Sequence, residues 1–224
     1  MNDELKRQAA LRALDEIRDG MVVGLGTGST ASHFIRELGR AGFKVVAIPT
    51  SEQSRQLAEE AGIQLTTFKE HPRIDVTVDG ADEVSPDLDL IKGLGGALVR
   101  EKIVAYASER FVVVVDESKL VDRLGSKTVI PVEVIPLAVP CVMLRLNELG
   151  GKALVRERNG QPFVSDNGNT IVDWKHGVID NPAALEKQLK SMTGVVDSGI
   201  FANAAKCVIV AGTQGVRKLV RKGG

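Results

Sequence analysis

The chain has 224 residues, with 29 Lys+Arg against 29 Asp+Glu, and is 43% hydrophobic and 26% charged. These proportions exclude a disordered or fibrous chain. The balanced charge argues against a nucleic-acid or anionic-membrane partner, either of which calls for a basic excess. A membrane span needs roughly 20 consecutive apolar residues, and the longest stretch of interest, Val134 to Leu144, is broken by Pro136 and Pro140.

The charged opening Asp3, Glu4, Lys6 and Arg7 is followed by no apolar signal segment. The first predicted element is a helix with Ala10, Ala13, Leu14 and Ile17 on one face, ended by Gly20. Met21 to Leu25 reads as a buried strand. Gly26-Thr27-Gly28 then turns the chain, and Ser29 or Thr30 is placed to cap a second helix carrying Ala31, Phe34, Ile35 and Leu38 up to Gly42. Lys44 to Ile48 is a strand and Pro49-Thr50-Ser51 a turn. A third helix carries Ser54, Leu57, Ala58 and Ala61, and a strand lies near Ile63 to Thr66. Ile74 to Val78 is a strand running into Asp79, Leu88 to Ile91 a short strand, and Leu98 to Ala107 a helix. Phe111 to Val115, five apolar residues before Asp116, is the strongest central-strand signal. Strand and helix alternating between glycines predict a parallel sheet wrapped by helices.

The texture changes after about Lys127. Pro131, Pro136 and Pro140 come close together, followed by alternating runs at Cys141 to Leu146, Ala153 to Arg156 and Thr170 to Trp174. Asn159-Gly160 and Asn167-Gly168 read as hairpin turns, and a helix with Leu185, Leu189 and Met192 follows Pro182. Cys207 to Ala211 is again a buried strand, followed by Gly212 and a basic tail. The expected architecture is α/β: an open, mostly parallel Rossmann-like sheet flanked by helices, with a smaller α+β domain inserted before the C-terminal strand. Its expected boundaries are 1–128 for the catalytic domain, 129–205 for the small domain and 206–224 for the return to the first.

Four segments carry chemistry-bearing residues. Gly24-Leu25-Gly26-Thr27-Gly28-Ser29-Thr30 joins a strand to a helix and offers backbone N–H groups and hydroxyls to an anion. It is neither a dinucleotide fingerprint, since Ser29 stands in the third glycine's place, nor a P-loop. Its bland reading is a tight turn with a serine cap. Asp79-Gly80-Ala81-Asp82-Glu83 ends a strand with three carboxylates, which suit sugar hydroxyls or a cation but are equally a solvated turn. Lys92-Gly93-Leu94-Gly95-Gly96, with Glu101 on the helix beyond, is either a flexible loop with a surface ion-pair cluster or a ligand loop with an ammonium and a carboxylate at its ends. Asp116-Glu117-Ser118-Lys119 places a lysine after the central strand. Each segment lies just past the end of a strand predicted to be parallel, the edge at which open α/β sheets bind ligands. Together they supply an anion cradle (Thr27, Gly28, Ser29, Thr30, Lys119), hydroxyl-binding carboxylates (Asp79, Asp82), a cation (Lys92) and a carboxylate base (Glu101). Proton transfer on a phosphorylated sugar is the chemistry that fits.

The two cysteines, Cys141 and Cys207, form no disulfide framework and point to a reducing cytoplasm. His33, His71 and His176 fall in no metal-ligand spacing, so no metal is expected. With 4% aromatic residues, a stacking platform for single-stranded nucleic acid is not expected either.

The ordered set of motifs resembles ribose-5-phosphate isomerase of the A type. It comprises Gly24 to Thr30, Pro49 to Ser51, Asp79 to Glu83, Ile91 to Lys102, Asp116 to Lys119, Pro131 to Pro136, Ser165 to Asn169 and Gly212-Thr213. The resemblance implies interconversion of D-ribose 5-phosphate and D-ribulose 5-phosphate in the pentose phosphate pathway. It also implies a homodimer or dimer-based homo-oligomer, no cofactor and no required metal. Residue by residue it implies Glu101 as general base and Lys92 beside the enediolate oxygen. Asp79 and Asp82 hold hydroxyls, Asp79 assisting ring opening. Gly80, Ala81, Gly93, Leu94 and Gly95 line the substrate, and Thr27 to Thr30 with Lys119 form the binding loop and lysine. Lys6 is a further phosphate candidate. Leu94 stands where some relatives have glycine, and Asp197 to Phe201 with Ala204-Ala205 departs from the family's glycine pairs. Two other readings are a sugar-phosphate sensor, which needs the cradle more than Glu101, and a transferase using Glu101 as nucleophile, for which no adenine-binding signature is present.

Overall fold

The computed structural model describes residues 2–221. The chain divides into two compact units: unit 1 comprises Met1–Ala81, Arg100–Leu120 and Ala204–Gly224, and unit 2 comprises Asp82–Val99 and Val121–Asn203. The chain therefore passes into unit 2 well before the change of texture at Lys127. Among the described residues no helix is long and apolar enough to cross a membrane.

Unit 1 is built on a seven-stranded sheet of β1 (Val22–Leu25), β2 (Val46–Pro49), β3 (Gln64–Leu65), β4 (Ile74–Asp79), β7 (Ser108–Asp116), β15 (Cys207–Gly212) and β16 (Gly215–Val220). The strand order is β16-β15-β7-β4-β1-β2-β3, and every neighbouring pair is parallel except β15 with β16. The expected mostly parallel sheet and the return of Cys207 to Ala211 beside the central strand are both present. The basic tail is not a tail: Gly215 reverses the chain and β16 runs back antiparallel, its side chains mostly exposed as an edge strand permits. The helices are α1 (Asn2–Ala13), α2 (Ser29–Ala41), α3 (Glu52–Glu60) and α4 (Leu98–Tyr106), the last entering unit 1 from residue 100. Alternate residues of the central strands (Val23 and Leu25, Val76 and Val78, Val112 and Val114, Ile209 and Ala211) share one core with Ala9, Ala10 and Ala13 of α1 and Phe34, Ile35 and Leu38 of α2. Val104 of α4 belongs instead to a second cluster with Val22, Ile48 and Ile74.

Two boundaries differ from expectation. The first helix gives way at Leu14 to a single 3₁₀ turn, Leu14–Glu16, closed by Ile17 N–H on Leu14 O, rather than running on to Gly20. Ser29 is the first residue of α2 and does not cap it. The cap position is Gly28, whose φ of 106° lies outside the range a serine adopts at low cost, and no side chain closes the helix start.

Unit 2 holds an antiparallel sheet in the order β13 (Val195–Ser198), β8 (Ile130–Val134), β12 (Thr170–Lys175) and β9 (Lys152–Val155). A second antiparallel sheet runs β14 (Ile200–Phe201), β6 (Leu90–Ile91), β5 (Glu83–Val84), and a hairpin joins β10 (Glu157–Arg158) to β11 (Gln161–Pro162). Asn159 and Gly160 close that hairpin with φ of 54° and 72°, as the sequence predicts. Helix α5 (Val139–Glu148) and helix α6 (Pro182–Lys190) complete the unit. Val132, Val134, Val172 and Trp174 face a core shared with Val142, Leu146 and Leu189. By the two-residue period of a strand, Glu133 and Asp173 point to the other face.

The run Cys141 to Leu146, which from sequence reads as an alternating strand, is helix α5. Pro140 sits in its first turn, where a missing N–H costs nothing, and Val142 and Leu146 are buried one turn apart. The strand at Leu88 to Ile91 shortens to β6 and is antiparallel. Its pairs are Ile91 with Glu83 and Ile200, and Leu90 with Val84 and Phe201. Lys92 therefore does not follow a strand of the parallel sheet.

Candidate active site

In unit 1 the chain leaves β1, runs outward through β2 and β3, and returns on the other side of β1 as β4. The order reverses between β1 and β4, which is where open α/β sheets leave a crevice at their carboxyl ends. Asp79, the last residue of β4 and fully buried, ties the two loops there: its Oδ1 accepts from Thr27 N–H at 2.9 Å and from Gly80 N–H at 2.7 Å. Gly26 makes this approach possible, since a Cβ on it would lie 2.1 Å from Asp79 Oδ1 and 2.5 Å from Asp79 Cα. The Thr27 hydroxyl is engaged inside the protein, with Thr50 Oγ1 at 2.7 Å and Ser51 Oγ at 2.8 Å. Ser51 and Ser54 cap α3 reciprocally. Of the expected anion cradle, the Thr27 side chain thus serves to fix the loop. The group left with the chemistry to meet an anion is the start of α2, where the first N–H groups of a helix, at Ser29 and Thr30, lack an intrahelical acceptor and carry the positive end of the dipole. Ser29 is exposed and Thr30 buried.

Asp116 ends β7 and caps the short 3₁₀ turn Glu117–Lys119, its Oδ1 accepting from Ser118 N–H at 3.0 Å and from the Ser118 hydroxyl. Lys119 closes this turn half-buried, and Lys6 lies half-buried on α1. Glu101 stands in the first turn of α4 and is only 4% exposed, whereas Arg100 reaches the exposed Glu52 at 3.3 Å. Arg100 thus takes part in a surface ion pair, and Glu101, for which a surface cluster is one reading of the sequence, is enclosed.

In unit 2, Asp82 Oδ2 accepts from Leu94 N–H at 3.0 Å, so Asp82 is bonded to the glycine loop. Lys92 is 2% exposed. Its backbone N–H donates to Gly199 O at 2.8 Å, and its Nζ stands 5.6 Å from the ring centroid of Phe201, within cation–π range. Gly93 and Gly96 take φ of 97° and 88°, and Gly96 N–H closes onto Gly93 O at 3.0 Å. Leu94 and Gly95 form the exposed tip, while Gly80, Ala81 and Asp82 are half-buried. Glu83 plays a structural part instead. Buried, it accepts from the backbone N–H groups of Gly125, Lys127 and Thr128.

The candidate residues thus fall into two groups. Thr27, Gly28, Ser29, Thr30, Asp79, Gly80, Ala81, Glu101 and Lys119 belong to unit 1, and Asp82, Lys92, Gly93, Leu94 and Gly95 to unit 2. Sequence reasoning misses Phe201, Arg156 and Phe163. Phe201 has the cation–π contact with Lys92, Arg156 bonds the carbonyls of Gly93 and Leu94, and Phe163 lies where a Cβ on Gly96 would come within 2.3 Å of its ring. No spacing signal links these residues to the loop. A concavity of about 580 Å³ at the amino end of the unit 1 sheet, lined among others by Gly20, Phe43, Lys44, Ile63 and His71, holds none of the candidate residues.

Comparison with known proteins agrees over nearly the whole chain. The family described as ribose 5-phosphate isomerase A (phosphoriboisomerase A) matches residues 46–215. Ribose-5-phosphate isomerase A of Methanothermobacter thermautotrophicus is 52% identical over 221 residues, covering 96% of this chain and 97% of that protein. The enzyme of Rhodopseudomonas palustris strain HaA2 is 50% identical over 229 residues, covering 98% of each. A solved D-ribose-5-phosphate isomerase in complex with phospho-erythronic acid is 45% identical, covering 99% of this chain and 100% of that one, with a TM-score of 0.96. Ribose 5-phosphate isomerase A of Methanocaldococcus jannaschii is 45% identical, covering 98% of this chain and 100% of that one, with a TM-score of 0.93.

Proposed function

This chain belongs to the ribose 5-phosphate isomerase A family and is an isomerase, and we propose that it interconverts D-ribose 5-phosphate and D-ribulose 5-phosphate through an enediolate, with Glu101 as general base. In the aldose-to-ketose direction Glu101 takes the proton from C2, the electron pair moves into the C1–C2 bond, and the carbonyl oxygen at C1 becomes the oxyanion. A proton passes from the C2 hydroxyl to the C1 oxyanion, and the same carboxyl group returns its proton to C1 as the carbonyl forms at C2, so no electron leaves the sugar and no cofactor is called for. Lys92 meets the developing oxyanion, Asp79 and Asp82 hold hydroxyls, and Asp79 assists ring opening. Gly80, Ala81, Gly93, Leu94 and Gly95 line the sugar, and the start of α2 with Lys119 receives the remaining anionic end.

The observation that carries this reading is the burial of Glu101 in the first turn of α4, with 4% exposure. A carboxylate shielded from bulk water can keep a carbon-derived proton long enough to return it to the neighbouring carbon, and exclusion of water protects the enediolate. Supporting it are the phospho-erythronic acid complex of the 45% identical relative, whose ligand is a phosphorylated sugar acid, and the enclosed ammonium of Lys92. The same reading carries the pentose phosphate pathway, a cytoplasmic location and a dimer-based assembly.

A direct optical assay of ribose 5-phosphate conversion, run with a chelator present, tests it. Glu101→Gln is expected to keep the wild-type melting temperature and ribose 5-phosphate binding while kcat falls about 10²–10⁴-fold, the usual worth of a positioned acid/base. A folded Glu101→Gln enzyme with near-normal kcat overturns the assignment of the base. Loss of wild-type activity on chelation overturns the metal-free mechanism.

A further inference from the structure

Arg156, in the turn that leaves β9, is a half-buried arginine with no place in the proposed chemistry, and four of its five N–H donors are committed. Nε donates to Asp173 Oδ2 at 2.9 Å and Nη2 to Asp173 Oδ1 at 2.5 Å, the two-pronged fork of a guanidinium on a carboxylate. On its other side Nη1 donates to two consecutive carbonyls, Gly93 O and Leu94 O, each at 2.9 Å. The guanidinium side chain is 11% exposed. Asp173 is anchored in the middle of β12, opposite Pro131 and Leu154, so the fork is fixed to the sheet and the carbonyls are fixed to the fork.

The consequence follows from peptide geometry. A trans peptide points its C=O and N–H in opposite directions, and the described residues include no cis bond. The peptide joining Gly93 to Leu94 is therefore gripped at both ends, its carbonyl by Arg156 and its N–H by Asp82 Oδ2 at 3.0 Å. The next peptide has its carbonyl on Arg156 too, which turns the Gly95 N–H away from the guanidinium. The same hairpin supports the loop again: Phe163 N–H returns to Arg156 O at 2.8 Å, and the Phe163 ring fills the space a side chain on Gly96 would need. A segment with glycine at 93, 95 and 96 has more backbone freedom to lose than any other composition. Only a planar fork can clamp a carboxylate on one edge and two carbonyls on the other, which a lysine ammonium cannot do.

We propose that Arg156 is a positioning residue for the isomerisation: braced on Asp173, it fixes the Gly93–Gly95 backbone so that Lys92 and Asp82, at the loop's start and side, meet the sugar oxygens in one geometry. The proposal rests on the roles given above to Lys92 and Asp82. Arg156 touches no substrate in this scheme and acts only through the loop.

The test compares wild type, Arg156→Ala, Arg156→Lys and Asp173→Asn by steady-state kinetics, melting temperature and amide hydrogen exchange of residues 92–97, each with and without added guanidinium ion. For Arg156→Ala kcat is expected to fall about 10²-fold, as a small misplacement of reacting groups costs. KM for ribose 5-phosphate should change far less, and exchange at Leu94 should quicken roughly tenfold or more. Guanidinium should restore both kcat and protection, while Arg156→Lys should restore neither. Asp173→Asn, which keeps one acceptor for the fork, should fall between; it carries the test if Arg156→Ala does not fold. Unchanged kcat and exchange, or losses that guanidinium does not lift, overturn the proposal. A wild type that does not convert ribose 5-phosphate overturns the isomerase reading instead, and the exchange data still decide whether Arg156 fixes the loop.

Discussion

In unit 1 the loops after β1 and β4 are delivered to one place by the sheet itself. Parallel neighbours in register end side by side, and a single carboxylate, Asp79, then joins Thr27 and Gly80 at 2.9 and 2.7 Å. In unit 2 the loop after β6 follows a strand of two residues that fixes little beyond itself. Its geometry comes from side chains far along the chain: Arg156 holds two of its carbonyls, and Phe163 fills the space beside Gly96. Unit 1 therefore positions chiefly by backbone register and close approach, completed by one short carboxylate at a strand end, and unit 2 chiefly by long side-chain tethers. Mutations should sort the same way, with unit 1 intolerant of added bulk at its strand ends and unit 2 intolerant of lost hydrogen-bond partners.

The sharpest way to break this contrast is at Gly26. A Cβ there would sit 2.1 Å from Asp79 Oδ1 and 2.5 Å from Asp79 Cα, and neither strand can give without losing register with its neighbours. Gly26→Ala is expected to cost about 3 kcal/mol or more, the upper range for overpacking. Gly28→Ala is the control: Gly28 has φ of 106° but nothing within 4 Å of an added Cβ, so only backbone strain of about 1–2 kcal/mol is expected. Chemical denaturation of the two variants measures both. Equal losses would mean that close approach at the strand ends is not what holds the unit 1 loops.

The complementary test in unit 2 is Glu83. Its carboxylate accepts from Gly125 N–H at 2.6 Å, Lys127 N–H at 2.7 Å and Thr128 N–H at 2.6 Å, with Thr128 Oγ1 at 3.2 Å. Glu83→Ala adds no bulk but strips these amides of their acceptor, and should cost about 2–3 kcal/mol. Glu83→Gln keeps one oxygen and should recover roughly half of that. The kcat of folded Glu83→Gln should stay near wild type, in contrast to Glu101→Gln. A Glu83→Ala protein as stable as wild type would remove the tether argument.

The same division explains what is legible in the sequence. Val22–Leu25, Ile74–Asp79 and Phe111–Val115 stand out because parallel strands buried on both faces are continuous apolar runs, and the residue after such a run stands at the ligand edge. That is why Asp79, Asp116 and the glycines after β1 can be picked out. Strands β5, β6 and β14 have two residues each and exist only through their partners, so nothing local marks their direction, and from sequence Lys92 reads as following the wrong sheet. Helix α5 is hidden because Val142 and Leu146, one turn apart, also fit an every-second-residue pattern. Arg156 is invisible for a different reason. Its partners lie 17, 62 and 63 residues away, and an arginine just past a strand carries no sign of which carbonyls it will bond.

Unit 1 also contains a tether, at the outer edge of its sheet, and the contrast predicts that it matters least. Glu16, in the 3₁₀ turn after α1, meets Lys218 of the edge strand β16 at 2.6 Å and Arg110 of β7 at 3.0 Å. Burial pushes its carboxyl upward, but the hydrogen bond and charge of Lys218, with Arg110 and Arg12, outweigh it, and its pKa lies below the usual 4.5. A carboxyl depressed in the folded state stabilises the fold above its unfolded pKa. That stability is lost as pH falls from about 4.5 through the lower folded value. Lys218 and Arg110 are 35% and 42% exposed by side-chain area, so solvent screens the attraction. Glu16→Gln should then cost only about 0.5–1 kcal/mol near neutral pH. The stability curves of wild type and variant should converge as pH falls below the lowered folded value, because the protonated carboxyl and the substituted amide both offer the two cations an uncharged acceptor. A Glu16→Gln penalty that stays constant down to about pH 3, followed by urea denaturation at each pH, would show that packing and not charge ties β16 to the unit.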